Sequence, residues 1–108
     1  MRAKPIKVLL ADDHDVVRAG VRTLVEAQGW QVSAEATNGK EAVKLAGDVP
    51  TDVAVLDLEM GELDGVTVVR QITKNEPKVE VVIFTMHDNE YLIREVLSAG
   101  ACARLRFP

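Results

Sequence analysis

The stretch Thr51-Asp-Val-Ala-Val-Leu-Asp-Leu-Glu-Met60 restricts the possible folds more than any other part of the chain. A short apolar run, Val53 to Leu56, ends abruptly in an acid, Asp57, and the turn-type residues Gly61, Asp64 and Gly65 follow. A run of β-branched and apolar residues bounded by polar ones suits a strand buried on both faces, the usual situation in a parallel sheet. Ligands of open parallel sheets bind in the crevice outside the carboxyl ends of the strands. Asp57 stands at such an end. An acid there can equally cap the next helix, so this stretch alone leaves both roles open.

The chain begins in the same way. Ile6 to Ala11 is an apolar strand, and Asp12, Asp13, His14 and Asp15 follow it directly. From Val16 to Gln28, the residues Val17, Val21, Leu24 and Val25 recur at helical spacing, and Gly29 sits where a left-handed cap residue belongs. Gly20 inside this helix costs about 1 kcal/mol against alanine, which points to close packing there. Gln31 to Ala36 reads as a second strand and Thr37-Asn38-Gly39 as a turn. Asn38 and Glu41 have capping-box spacing, and the short helix after them runs to Ala46 and is closed by Gly47.

Beyond the central strand, Val66, Val69 and Ile72 set a third helix over Gly65 to Lys74, ended by Asn75-Glu76-Pro77. Glu80 to Thr85 is a strand too apolar to have a wet face. A fourth helix, Asn89 to Ala99, carries Leu92, Ile93, Val96 and Leu97, with Asp88 as N-cap and Gly100 as C-cap. Ala101 to Phe107 is a final strand. Strict alternation of strand and helix implies a parallel sheet with right-handed crossovers. The expected fold is α/β and flavodoxin-like: a doubly wound sheet of five parallel strands in the order 2-1-3-4-5, with four helices. Residues 1–108 form one domain.

Several function classes are disfavoured. Thirteen basic against 17 acidic residues leave a net charge of −4, and no basic run is present, so a nucleic-acid footprint is not expected. The longest apolar runs span four or five residues, far short of the ~20 that cross a bilayer. A single cysteine, Cys102, and the start Met-Arg-Ala-Lys-Pro, without an apolar signal segment, lead us to expect a cytoplasmic protein. No Gly-rich phosphate loop, Gly-x-Ser-x-Gly elbow or His-x-x-x-His pair points to an enzyme.

In the order 2-1-3-4-5, strands 1, 3 and 4 are neighbours, so Asp12 and Asp13, Asp57, and Thr85 converge at one edge. Three carboxylates in one crevice repel, and a hard dication with oxygen ligands relieves them, Mg²⁺ being typical where phosphate takes part. A carboxylate attacks a phosphoryl group only if charge on the transferring oxygens is neutralised. Asp57 as acceptor, Asp12 and Asp13 on the metal and Thr85 on a phosphoryl oxygen make a coherent phosphoryl-transfer site. His14 and His87 could reach the crevice rim, or be solvated loop residues.

Leu10-Ala-Asp-Asp-His-Asp-Val-Val-Arg18, the acid in Leu56-Asp57-Leu-Glu-Met60, Asp64-Gly65 and Thr85-Met-His-Asp-Asn-Glu90 resemble the receiver domain of bacterial two-component response regulators, in the wording of the NarL/FixJ subgroup. The resemblance covers about Ile6 to Gly100. It implies a phospho-aspartate switch in which a histidine kinase phosphorylates Asp57, with Mg²⁺ held by Asp12, Asp13, Asp57 and the main-chain oxygen of Glu59. It also puts Glu59 and His87 where the family tunes dephosphorylation.

The chain departs from the family in four places. Phe107 falls where the family has a lysine, Arg104 where it has an aromatic switch residue, and Gly61 where it has a proline. The family's fifth helix is missing, which leaves one face over strands 3, 4 and 5 bare. Self-association through that face, or through an exchanged element, is therefore expected. The alternative reading is a degenerate receiver that acts as a phosphorylation-independent interaction or dimerisation module. The DNA-binding domain common behind such receivers has no counterpart in these residues, and DNA binding by this chain is not expected.

Overall fold

A computed structural model describes residues 4–60, 64–85 and 90–106, together with their side chains other than those of residues 85 and 104–106. The elements alternate as β1 (Lys7–Ala11), α1 (Asp15–Ala27), β2 (Gln31–Ala36), α2 (Gly39–Asp48), β3 (Val53–Asp57), α3 (Gly65–Asn75), β4 (Glu80–Thr85), α4 (Glu90–Ser98) and β5 (Ala103–Arg106). The strands run parallel in the order β2-β1-β3-β4-β5. The order turns back between β1 and β3. That is the switch point of a doubly wound sheet, where the crevice opens.

Strand periodicity divides the sheet side chains between two cores. Leu9, Ala54, Leu56, Val81 and Ile83 face α2, α3 and α4, joining Ala42, Ala46, Val68, Val69, Ile72, Ile93 and Val96 in the larger core. The alternate residues Val8, Leu10, Val55 and Phe84 meet Val25 of α1 in a smaller one, flanked by half-buried Val17, Val21, Val53 and Val82. α1 alone does not fill this side. An open apolar groove of about 230 Å³ is lined by Val21, Leu24, Val25, Trp30, Val55 and Phe84. Leu24, on the apolar stripe of α1, is 62% exposed there.

Local chemistry explains the helix ends and corrects three of the expectations above. Gly29 (φ +82°) and Gly100 (φ +125°) occupy the left-handed positions after α1 and α4. At Gly100 a Cβ would also come within 2.4 Å of Thr73 Oγ1. Gly47 does not close its helix: α2 runs on to Asp48, and the chain leaves at Val49, whose extended backbone suits the residue before Pro50. The reciprocal bond of the capping box is displaced by one residue. Asn38 accepts from the Glu41 N–H at 2.8 Å, but the Glu41 carboxylate takes the N–H of Thr37, at 2.9 Å. Asn38→Ala is expected to cost about 1 kcal/mol, read as a lower urea midpoint with an unchanged slope.

Gly20 is the third correction. It is exposed, and a Cβ built on it would meet nothing within 4 Å, so close packing is not its reason. Gly20→Ala is expected to stabilise the domain by up to about 1 kcal/mol, through helix propensity and a less flexible unfolded chain. Thermal unfolding checks this, and a lowered midpoint would refute it. Asp88 and Asn89, expected at the start of α4, lie outside the described residues, as do Gly61 and Phe107.

Candidate functional site

The register of β1 against β3 sets Ala11 beside Leu56, so the next residue of each strand, Asp12 and Asp57, emerges at the same edge. Each carboxylate is then fixed by an Asx-type turn, in which a side-chain oxygen binds the main-chain N–H two residues on. Asp12 Oδ1 accepts from His14 at 2.8 Å and Asp57 Oδ1 from Glu59 at 3.1 Å. These bonds hold both acids over their strand ends.

Asp12 is the only buried polar or charged residue among those described, at 1% exposure. Its loop is tied down from outside the crevice: Arg18 Nη1 donates to the Asp12 carbonyl oxygen at 2.8 Å. The same guanidinium donates from Nε to Glu35 Oε1 of β2 at 2.9 Å and from Nη2 to Asp15 Oδ1 at 2.7 Å. Arg22 also donates to Glu35, through Oε2. On the far side, Gly65 lets the start of α3 sit against the residue after Asp57, since a Cβ there would lie 2.7 Å from Leu58 Cδ2 and 3.0 Å from the Leu58 carbonyl oxygen. Asp64 caps that helix by accepting from the Thr67 N–H at 2.8 Å.

One ligand atom each from Asp12, Asp13, His14 and Asp57 lies within 4.8 Å of the others. His14 Nδ1 is 2.9 Å from Asp13 Oδ1, 3.2 Å from Asp12 Oδ1 and 4.0 Å from Asp57 Oδ2. Burial pushes the Asp57 carboxyl from 3.8 up to about 6, with the charges of Asp12 and Asp13 adding to it and the Glu59 N–H opposing. His14 is raised from 6.5, chiefly by its hydrogen bond to Asp12 and then by the Asp13 charge. Negative charge is in excess here. Asp12 Oδ2 is buried and has no hydrogen-bond partner among the described residues, although buried carboxylate oxygens are normally satisfied. A dication bound among these oxygens would supply the partner it lacks, so the residues fit such an ion.

Of the candidates drawn from the sequence, Asp12, Asp13 and Asp57 come together. Glu59 follows Asp57 with its side chain exposed and its N–H on the Asp57 carboxylate. Thr85 ends β4, one residue past Phe84, the register partner of Asp57. Its hydroxyl lies outside the described residues, as do His87 and the side chains of Arg104 and Arg106. Sequence reasoning gave Arg18 no role and left His14 open between the crevice rim and a solvated loop. Arg18 stands six residues after Asp12, in the first turn of α1, from where its guanidinium reaches back to the Asp12 carbonyl oxygen. His14 is placed by the turn that Asp12 makes.

A doubly wound parallel α/β domain with three carboxylates gathered at its switch point defines the class of this protein. Residues 8–106 match the response regulator receiver domain family, and the chain belongs to it. It is 37% identical over 101 residues to the response regulator UvrY of Escherichia coli K12, covering 93% of this chain and 46% of that protein. Among solved structures it is similar to a two-component response regulator of the LuxR family from Aurantimonas sp. SI85-9A1, with a TM-score of 0.89 at 32% identity, covering 95% of this chain and 74% of that one. It is also similar to the signal receiver domain of the putative response regulator NarL from Mycobacterium tuberculosis, with a TM-score of 0.89 at 29% identity, over 96% of this chain and 85% of that one. The chain spans about half the length of the curated relatives it matches. Among the described residues no helix is long and apolar enough to cross a membrane.

Proposed function

We propose that this chain is a single receiver domain that takes a phosphoryl group onto Asp57 from a histidine kinase, with Mg²⁺ bound beside it. It is thus a signalling domain and not a classical enzyme. The observation that carries the reading is the convergence of Asp12, Asp13 and Asp57, with a buried Asp12 oxygen that has no hydrogen-bond partner among the described residues. Asp12, Asp13, Asp57 and the main-chain oxygen of Glu59 would hold the cation, oxygen donors suited to a hard ion. When bound, it supplies the charge neutralisation that lets anionic oxygens approach a carboxylate.

The residues of the chain do the rest. An Asp57 oxygen attacks phosphorus, the bond from phosphorus to the donor's nitrogen or oxygen breaks, and its electron pair leaves with the donor. The product is an acyl phosphate on Asp57. Asp57 must be ionised to attack, and with its carboxyl near 6 it is mostly so at neutral pH. The Thr85 hydroxyl would donate to a phosphoryl oxygen, and Arg18 would keep the Asp12 loop from drifting as charge changes. The intact acid cluster supports acceptance over a phosphorylation-independent role. Incubation with acetyl phosphate and Mg²⁺ tests this: one hydroxylamine-sensitive phosphoryl group per chain is expected by intact mass, and none in EDTA. An unchanged mass with Mg²⁺ would overturn the reading.

A cytoplasmic location, no membrane attachment and no direct DNA contact by this chain complete the proposal. Self-association is also part of it, supported by the apolar groove beside Leu24 and Trp30. A species that stays monomeric in sedimentation at high concentration would exclude the last point.

A further inference from the structure

We infer that His14 is a direct nitrogen ligand of the dication in the acidic crevice, so that the site binds borderline transition-metal ions of the Mn²⁺ to Zn²⁺ series through a mixed nitrogen and oxygen set. The inference rests on the crevice being a dication site, not on phosphoryl acceptance. Its basis is the direction and spacing of the imidazole. Nδ1 is turned into the cluster, 2.9 Å from Asp13 Oδ1, 3.2 Å from Asp12 Oδ1 and 4.0 Å from Asp57 Oδ2. With metal–ligand bonds of ~2.1 Å, adjacent ligands of an octahedron lie about 3.0 Å apart and opposite ones about 4.2 Å. Nδ1 therefore stands at spacings from the Asp12, Asp13 and Asp57 oxygens that donors to one shared ion would have.

A second observation points to a ligand. The Asp12 side chain, 2% exposed, has Oδ2 buried without a hydrogen-bond partner among the described residues, while its Oδ1 is engaged by the His14 main-chain N–H and by the His14 ring. The backbone bond that fixes Asp12 thus also places residue 14 at the cluster. His14 is the residue before α1, yet its side chain makes no capping bond; its ring contacts are those with the acids of the cluster. Oxygen donors alone suit Mg²⁺, whereas an imidazole adds affinity that grows along the transition series and little for a hard ion.

The test measures binding at about pH 8, above the ordinary imidazole range, on the unphosphorylated chain. The probes are Mn²⁺, Co²⁺ and Mg²⁺, against His14→Gln, which removes no cap. With Mn²⁺, pulsed electron spin-echo spectra are expected to show modulation from a directly bound ¹⁴N in the natural protein and none in His14→Gln. Co²⁺ affinity is expected to fall about tenfold or more in the variant, and Mg²⁺ affinity by less than about threefold. Absent nitrogen modulation, equal loss for Co²⁺ and Mg²⁺, or no binding of any dication would each overturn the inference. Because none of these measurements uses a phosphodonor, nitrogen ligation without phosphoryl uptake would defeat the proposed function and leave this inference standing. Uptake without nitrogen ligation would do the reverse.

Discussion

Asp57→Asn is expected to reduce phosphoryl uptake from acetyl phosphate below detection, a loss of at least about a hundredfold. Asparagine keeps the shape and the bond from the Glu59 N–H but offers no anionic oxygen to attack phosphorus. Its neighbours cannot substitute for it. Asp12 has one oxygen engaged by the His14 N–H and the other buried, and Asp13 sits on the exposed side of the cluster. Asp12→Asn and Asp13→Asn should therefore leave the acceptor in place and raise the Mg²⁺ concentration needed to reach half-maximal labelling. Labelling of Asp57→Asn at the natural rate would reject Asp57 as acceptor.

The same substitution is expected to stabilise the metal-free protein at neutral pH. A carboxyl raised from 3.8 to about 6 in the folded state favours folding most fully below about 3.8. That contribution is lost as the pH rises through about 6, because the folded crevice then holds a charge that burial and Asp12 resist. His14, raised from 6.5, acts in the same sense: it favours folding below 6.5 and ceases to do so as the pH rises through its elevated value.

At about pH 7.5 in EDTA, Asp57→Asn should exceed the natural protein by about 2 kcal/mol once solvent screening at this partly open crevice is discounted, or about 10 °C in melting temperature. The gap should close as the pH falls below about 3.8, where the Asp57 carboxyl is neutral in the folded and the unfolded chain alike. Millimolar Mg²⁺ at pH 7.5 should raise the natural protein's midpoint more than the variant's. A variant less stable than the natural protein at pH 7.5 would contradict the electrostatic picture of the crevice.

Much of this was legible in the chain because parallel βα folds write their sites at strand ends. Apolar runs that stop in Asp12 and Asp57 could be recognised without coordinates, and the order of alternating elements made those ends neighbours. Asp13 came with Asp12. His14 could not be assigned from its neighbours, since a histidine after two acids reads equally well as solvated. Its orientation comes from the turn Asp12 makes with the His14 N–H. Arg18 was hidden for a similar reason, its target being a main-chain oxygen with no sequence signature.

The glycines show the limits of local rules. Gly29 and Gly100 take the left-handed backbone that helix ends ask for, whereas Gly47 yields to Pro50 two residues beyond the helix and Gly20 faces open space. Leu24 fits the helical stripe, yet that stripe extends past what the sheet covers and leaves Leu24 on an open groove.

The most direct measurement is the position of the phosphoryl group itself. After reaction with acetyl phosphate and Mg²⁺, borohydride reduction converts an aspartyl phosphate to homoserine, and peptide mass spectrometry locates the converted residue. Homoserine at position 57 alone, absent when EDTA replaces Mg²⁺, is the expected result. Conversion at Asp12 or Asp13 instead, or none at any position despite bound Mg²⁺, would contradict the assignment of this crevice as a phosphoacceptor site built around Asp57.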